Sequence, residues 1–188
     1  RRQRQMCIRD RLITDRLMAG ADTRATARAL ASAAEKLGPF DAVFCGCKAI
    51  DGETGQVPGE LAAALGLPCI SNAEKVEAAG DELLVTRRLE DGVQNLTVSG
   101  SAVISFSSYS YPLRLAGILG MRRARKTPVE ILTAADLGLT PEDCGLKGSL
   151  TKVVAMESRF PGLRRGPKET DLDAGVQNLR VLLREVRP

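Results

Sequence analysis

The strongest constraint on folding lies at residues 42–59. Ala42-Val43-Phe44-Cys45 is a short, continuously apolar run, and GCKAIDGETGQVPG follows it with glycines at 46, 52, 55 and 59. A strand with no polar side must be buried on both faces, the pattern of a parallel sheet covered by helices. A helix is expected from about Thr54 or Gln56 to Leu65, so the glycines fall between a strand end and a helix start. Open α/β sheets bind ligands at that place. Backbone amides approach an anion closely where no Cβ intervenes, and the first helical turn adds unpaired amides and about half a positive charge. Gln56 and Thr54 offer side-chain donors to a phosphate; Asp51 offers an acceptor to a ribose hydroxyl, or simply caps the loop. The segment is neither a Walker loop nor a GxGxxG fingerprint, and on this pattern alone a plain connecting loop fits the glycines equally well.

The flanking sequence continues the α/β order. Leu12-Ile13 reads as the end of a strand. Ala25, Ala29, Leu30, Ala33 and Leu37 recur at helical spacing, with Asp22 or Thr23 as N-cap and Gly38-Pro39 as stop. Pro68–Ser71 is a short strand. The pattern then changes to β-type runs at Val76, Leu83–Leu89 and Val93–Val98, separated by Gly80-Asp81 and Asp91-Gly92, both hairpin signals. Ala102–Phe106 is a further buried strand, Leu113–Arg125 a helix with a basic end suited to its C-terminal dipole, and Val129–Leu132 a strand. Residues 145–167, rich in Gly and Pro, read as an arm with one strand at Lys152–Met156. A last helix over about Asp171–Val186 carries Leu172, Val176, Leu179, Leu183 and Val186 on one stripe. The expected fold is therefore doubly wound α/β, a mostly parallel sheet with an antiparallel hairpin insertion at about 72–100, then a C-terminal arm and helix. The expected boundaries are 12–143 for the nucleotide-binding domain and 144–188 for the arm and helix.

Charge and composition narrow the function. Residues 1–11, RRQRQMCIRDR, hold five Arg and one Asp and so account for the whole net charge of +4; the rest of the chain is balanced. That segment has no apolar h-region and resembles a translated sequencing adapter, so it reads as a non-native leader, the alternative being a native basic tail. With two Tyr, four Phe and no Trp the chain lacks the stacking rings of a single-strand nucleic-acid platform. No stretch approaches the roughly 20 apolar residues of a membrane span. Cysteines at 7, 45, 47, 69 and 144 show no disulfide framework spacing and suit reduced thiols in a cytoplasm. With no His, neither a zinc site at Cys45-Gly46-Cys47 nor a Ser-His-Asp or Cys-His hydrolase is expected.

Beyond these readings, GCKAIDGETGQVPG is very similar to the adenine-nucleotide loop of electron transfer flavoprotein beta subunits. AGADTRATA at 19–27, GLPCISNAEKVE at 66–77, MRRARKTPVEI at 121–131, DLGL at 136–139 and CGLKGSLTKVV at 144–154 resemble further segments of that family, in one order over residues 12–160. The resemblance implies an adenine nucleotide alpha-hydrolase-like fold and an electron carrier without an active site of its own. It implies a heterodimer with an alpha subunit, sharing FAD that takes electrons from acyl-CoA or other dehydrogenases, as in fatty acid oxidation. Gly46, Cys47, Lys48, Ala49, Ile50, Asp51, Thr54, Gly55, Gln56 and Val57 would bind AMP or, in electron-bifurcating members that oxidise NADH, the adenosine end of a second FAD. Leu115, Ile118 and Leu119 fall where the family docks its dehydrogenase, and the C-terminal arm resembles the part that wraps the alpha subunit. The resemblance also places the family's first strands, and the loop closing the far side of the nucleotide pocket, before residue 12. Three departures stand out: Cys47-Lys48 replaces a basic residue followed by Gln, the docking segment lacks the common NEPR, and Leu150 replaces a common proline. A reading of a different class is a stand-alone adenine-nucleotide sensor of the universal-stress type.

Overall fold

The computed structural model describes residues 10–50, 52–108, 110–112, 117–155 and 170–185. They fall into two compact units, the first ending at Lys152 and the second beginning at Val153. The first unit is a mixed α/β structure with parallel strands at its centre. A five-stranded sheet runs in the order β2 (Ala42–Gly46), β6 (Ala102–Phe106), β3 (Cys69–Ala79), β4 (Glu82–Leu89), β5 (Gly92–Ser99). The first three strands are parallel; β3–β4 and β4–β5 are antiparallel. A separate parallel pair joins β1 (Arg11–Ile13) to β7 (Glu130–Leu132), with Arg11 and Glu130 opposite each other and ion-paired at 2.8 Å. β1 thus takes in Arg11, one residue inside the segment read from sequence as a leader.

The sheet is apolar on both sides for different reasons. On one side Val103, at the centre of β6, packs with Ala27 and Ala31 of α1 (Thr23–Leu37) and Leu61 and Ala62 of α2 (Val57–Leu65). On the other, Ile70, Ala73, Val85, Val98, Ala102 and Ile104 form a second cluster drawn from four strands. β6 is buried on both faces, as its apolar run Ala102–Ile104 requires, and Ser105 is buried with it. The two hairpins turn at Gly80-Asp81 and Glu90-Asp91, the first with Gly80 at φ +65°.

Helix α1 carries two buried stripes where the sequence suggested one. Ala25, Ala29 and Ala33 fall on the expected face, while Ala27 and Ala31 lie on the opposite side, also buried. At 100° per residue those two sets are roughly half a turn apart. The second set meets α2. The first side is tied to the chain beyond β7: Arg28 pairs with Asp143 at 2.8 Å and Lys36 reaches the Asp136 carbonyl. A helix flanked on both sides needs small residues on both, and alanine supplies them at no cost in helix propensity.

Other elements depart from the sequence pattern. Pro68–Ser71 and Val76 are not separate runs but one eleven-residue strand, β3, irregular where its register shifts between Ile70 and Ala73 and again between Ala73 and Lys75. Asn72 absorbs that irregularity at φ +58°. Residues 152–155, expected to begin a strand, form none: Val153 and Val154 are β-branched but largely exposed, and β propensity needs a neighbouring strand to act on. Met156 lies outside the described residues. The helix expected from Leu113 is α3 (Ile118–Lys126), with residues 113–116 outside the described residues. Before residue 152 a short helix, α4 (Gly145–Gly148), replaces the irregular arm expected there.

The second unit holds α5 (Leu172–Glu185), whose first turn is capped by Asp171, its Oδ1 accepting from the Asp173 and Ala174 amides. Leu172, Val176, Leu179 and Leu183 form the expected stripe and are exposed; Val186 lies outside the described residues. No helix among the described residues is long and apolar enough to cross a membrane.

Ile104 is fully buried in the sheet core. Ile104→Ala is expected to destabilise the first unit by about 2–5 kcal/mol, lost transfer energy plus an unfilled cavity, measured as a lower urea midpoint with unchanged slope.

Candidate functional site

The loop at 46–57 leaves the carboxyl end of β2, where Gly46 is paired with Phe106 of β6. It closes with a bond from the Glu53 amide to the Ala49 carbonyl at 2.9 Å and an ion pair of Lys48 with Glu53 at 3.1 Å. Glu53 and Gly55 both take positive φ, +52° and +65°. At Gly55 a Cβ would stand 3.3 Å from the Cys47 carbonyl oxygen, so the glycine is required both by its backbone conformation and by the closeness of the two limbs of the loop. Ala49, Ile50, Thr54, Gly55 and Gln56 are all exposed. Cys47 is half-buried, its Sγ 3.5 Å from Ser108 Oγ. Val57 begins α2 and packs against the helix-side core. Asp51 lies outside the described residues.

Gln56 is the N-cap of α2 but provides no side-chain cap, and Pro58 in the first turn has no N–H. Its side chain turns instead to α1: Thr23 Oγ1 lies 3.2 Å from Gln56 Oε1 and 3.1 Å from Glu60 Oε1. The N-terminal turns of α1 and α2 therefore meet beside the glycine loop, and their dipoles add there. The sequence pattern named the loop but missed Thr23 and Glu60 as its neighbours. The available signals were the Asp22-Thr23 cap pair and an acid four residues after Gln56.

Asp22 fixes this junction. Its Oδ1 accepts from the Ala25 amide at 2.9 Å, capping α1. Its Oδ2 accepts from the Leu150 and Thr151 amides at 2.8 and 3.0 Å and from the Thr151 hydroxyl at 3.1 Å, while its own amide donates to Ser149 Oγ at 2.8 Å. Burial pushes the carboxyl's pKa up, but the bonds from Ala25, Thr151 and Leu150 outweigh it and hold the group at about 2.

A second concave feature lies elsewhere. A cavity of about 440 Å³ is lined by Phe44, Val76, Ala78, Leu83, Phe106 and Tyr111, with none of the described loop residues among them. Phe106 makes edge contacts to Phe44 and Tyr111, at 5.2 and 5.6 Å between ring centres. The cavity's apolar walls are unsuited to phosphate. Of the expected docking residues, Ile118 and Leu119 open α3 and are exposed, whereas Leu115 lies outside the described residues.

A family model described as "Electron transfer flavoprotein domain" matches residues 10–137. The chain belongs to the electron transfer flavoprotein family. It is 43% identical over 171 residues to an electron transfer flavoprotein subunit beta of Thermoanaerobacterium thermosaccharolyticum, covering 89% of this chain and 65% of that protein. It is 34% identical over 142 residues to the caffeyl-CoA reductase-Etf complex subunit CarD of Acetobacterium woodii, covering 76% and 54%. To the protein FixA of Azorhizobium caulinodans it is 37% identical over 170 residues, covering 86% and 59%. The resemblance to beta subunits of the family is thus found along most of the chain, and the chain spans between about half and two thirds of the length of these relatives.

A carboxylate whose folded pKa lies below its usual 3.8 contributes stability that is complete above that value and lost as pH falls toward the folded pKa. Asp22→Asn is therefore expected to be less stable than wild type at pH 7, with the gap closing between about pH 4 and pH 2. Urea unfolding at stepped pH measures it; a gap independent of pH would refute the role of the charge.

Proposed function

We propose that this chain is the nucleotide-binding portion of an electron transfer flavoprotein beta subunit, binding AMP or the adenosine part of FAD on residues 46–57. It pairs with an alpha subunit that shares FAD, and the complex carries electrons from acyl-CoA or other dehydrogenases. The observation that carries the proposal is the convergence of two helix N-termini on an exposed loop with two positive-φ residues at the carboxyl end of a parallel strand. In this reading Gly46, Gly55 and the first turn of α2 present backbone amides to the ligand, Lys48 and Thr54 are side-chain contacts, and Asp51 accepts from the ribose. The doubly wound, adenine nucleotide alpha-hydrolase-like topology and a cytoplasmic location belong to the same proposal. When bound, the flavin supplies the redox chemistry; this chain's residues bind and orient the nucleotide.

The stripe on α5 and the exposed pair Ile118-Leu119 give the proposal its partner surfaces, the alpha subunit for the first and a dehydrogenase for the second.

Cofactors released by acid from the beta subunit co-expressed with its alpha partner test the reading. One FAD and one AMP per heterodimer marks a conventional carrier; two FAD without AMP marks the electron-bifurcating form; absence of both nucleotide and flavin overturns the proposal. In that complex Gly55→Glu is expected to abolish nucleotide retention, because it puts a charged side chain into the left-handed backbone beside the Cys47 carbonyl. Ile118→Ala is expected to slow interprotein electron transfer several-fold, read by stopped-flow, while leaving the flavin spectrum unchanged.

A further inference from the structure

β5 is the outermost strand of the five-stranded sheet on the side away from β2. It pairs with β4 and has no neighbour on its other edge among the described residues. An open strand edge is a template for pairing with another chain, and proteins guard such edges with charged side chains, proline, a bulge or a covering element. β5 has no such guard among the described residues. Its sequence, GVQNLTVS over Gly92–Ser99, holds no charged residue and no proline, and its register against β4 runs without a shift from Leu89↔Gly92 to Glu82↔Ser99.

The backbone groups on the open edge follow from the hydrogen bonds. The Val76 amide of β3 donates to the Tyr111 hydroxyl at 2.9 Å and so points away from β4. Neighbouring residues of a strand direct their N–H and C=O groups to opposite sides, so Glu77 bonds to Leu84, and Val85 in turn bonds to Leu96. The groups of Gly92, Gln94, Leu96 and Val98 are therefore taken by β4, and those of Val93, Asn95, Thr97 and Ser99 face outward. The two-residue turn Glu90-Asp91, closed by Leu89 and Gly92, gives the same assignment. The side chains of all four outward residues are exposed.

We propose that β5 pairs antiparallel with β5 of a second copy of this chain about a two-fold axis at Leu96. In that register Val93 faces Ser99 of the second copy and Asn95 faces Thr97, so every outward residue finds a partner. An axis at Asn95 carries Ser99 past the end of the facing strand, and an axis at Thr97 does the same to Val93. The Leu96 axis also keeps the core faces of both copies on one side: Leu96, half-buried against the cluster of Val85 and Val98, meets its own copy there. Charge selects a second copy as the occupant. A strand bearing net charge repels its own copy, and β5 bears none. The acidic turn Glu90-Asp91 of each copy falls past Gly100 of the other, so the two turns stand at opposite ends of the pairing, whereas parallel pairing brings them together. The inference is independent of the nucleotide reading above.

Sedimentation velocity of the full chain over a concentration series is expected to show a dimer, with amide exchange at Val93, Asn95, Thr97 and Ser99 slowing as it forms. Thr97→Pro removes an outward N–H at an edge position that tolerates proline, and Thr97→Lys supplies the missing charge. Each is expected to weaken the dimer about tenfold or more with little change in the urea midpoint of the monomer, and the lysine variant decides the matter if the proline variant does not fold. Leu96→Cys tests the register. At the axis residue 96 meets its own copy as a non-hydrogen-bonded pair, with Cα atoms about 4.5 Å apart and within reach of a disulfide. Peptide mapping after mild oxidation should find residue 96 joined to residue 96 of the second copy, whereas Val93→Cys, opposite Ser99, should give no bridge to its own copy. A chain that stays monomeric at every concentration, a dimer indifferent to both Thr97 variants, or a bridge formed as readily by Val93→Cys overturns the inference. Protection of the four amides that arises only on co-expression with an alpha subunit also overturns it, and assigns β5 to that interface instead.

Discussion

The carboxylate of Asp22 is the constraint on which the rest of this structure depends. A helix start leaves four amides without partners, and one side-chain oxygen ordinarily serves one of them. Here both oxygens are used, one on the α1 amide of Ala25 and the other on the backbone of Leu150 and Thr151, about 130 residues away in the chain. The second set of bonds turns a local cap into a long-range tie. It holds the end of the first unit against the start of α1 and leaves Thr23, the next residue, in one place. The segment that follows β7 is packed to match: a Cβ at Gly145 would stand 2.2 Å from the Leu17 carbonyl oxygen, and one at Gly148 would stand 2.4 Å from the Asp143 backbone. Those two glycines are required by close approach, and they let the chain run tightly beneath the α1 cap.

Fixing α1 also fixes the loop. α1 and α2 pack side by side through Ala27, Ala31, Leu61 and Ala62, and their N-terminal turns meet at Thr23 and Gln56. The partial positive charge of each is thus delivered to one place. A carboxylate, Glu60, stands in the same place. It accepts a hydrogen bond from the Thr23 hydroxyl, which also faces the Gln56 carbonyl oxygen. Lys48, displaced by one position relative to the usual family pattern, is ion-paired with Glu53 and so stabilises the loop itself.

What could be read from the sequence follows the range of each physical signal. The buried strands at Ala42–Cys45 and Ala102–Phe106, the hairpin turns and the α1 cap at Asp22 depend on a few neighbouring residues and were legible. The glycine loop was legible as the link between a strand end and a helix start, and the family resemblance as a family assignment. The second buried stripe of α1 was not, because alanine is equally at home on an exposed helical face and its burial is decided by what packs beside it. The strand expected at Lys152–Met156 is absent over 152–155 for the converse reason: Val153 and Val154 carry β propensity but pair with no strand among the described residues. Nor could any local pattern join Asp22 to Thr151, or Thr23 to Glu60, since those bonds exist only after the sheet has brought distant segments together.

The position of the loop in the sheet bears on how strongly it can hold a ligand. β2 is the outermost strand of the five-stranded sheet, paired with β6 on one side only among the described residues, and its Phe44 is 58% exposed. A loop on a central strand of an open sheet is flanked by neighbouring loops that enclose its ligand from both sides. A loop on an edge strand meets the ligand from one. Under the proposed nucleotide reading, backbone amides and two helix dipoles would give orientation and phosphate selectivity, whereas most of the affinity of a nucleotide comes from enclosing its ring and ribose. None of the described loop residues borders the apolar, aromatic-lined cavity, so that cavity lies apart from them.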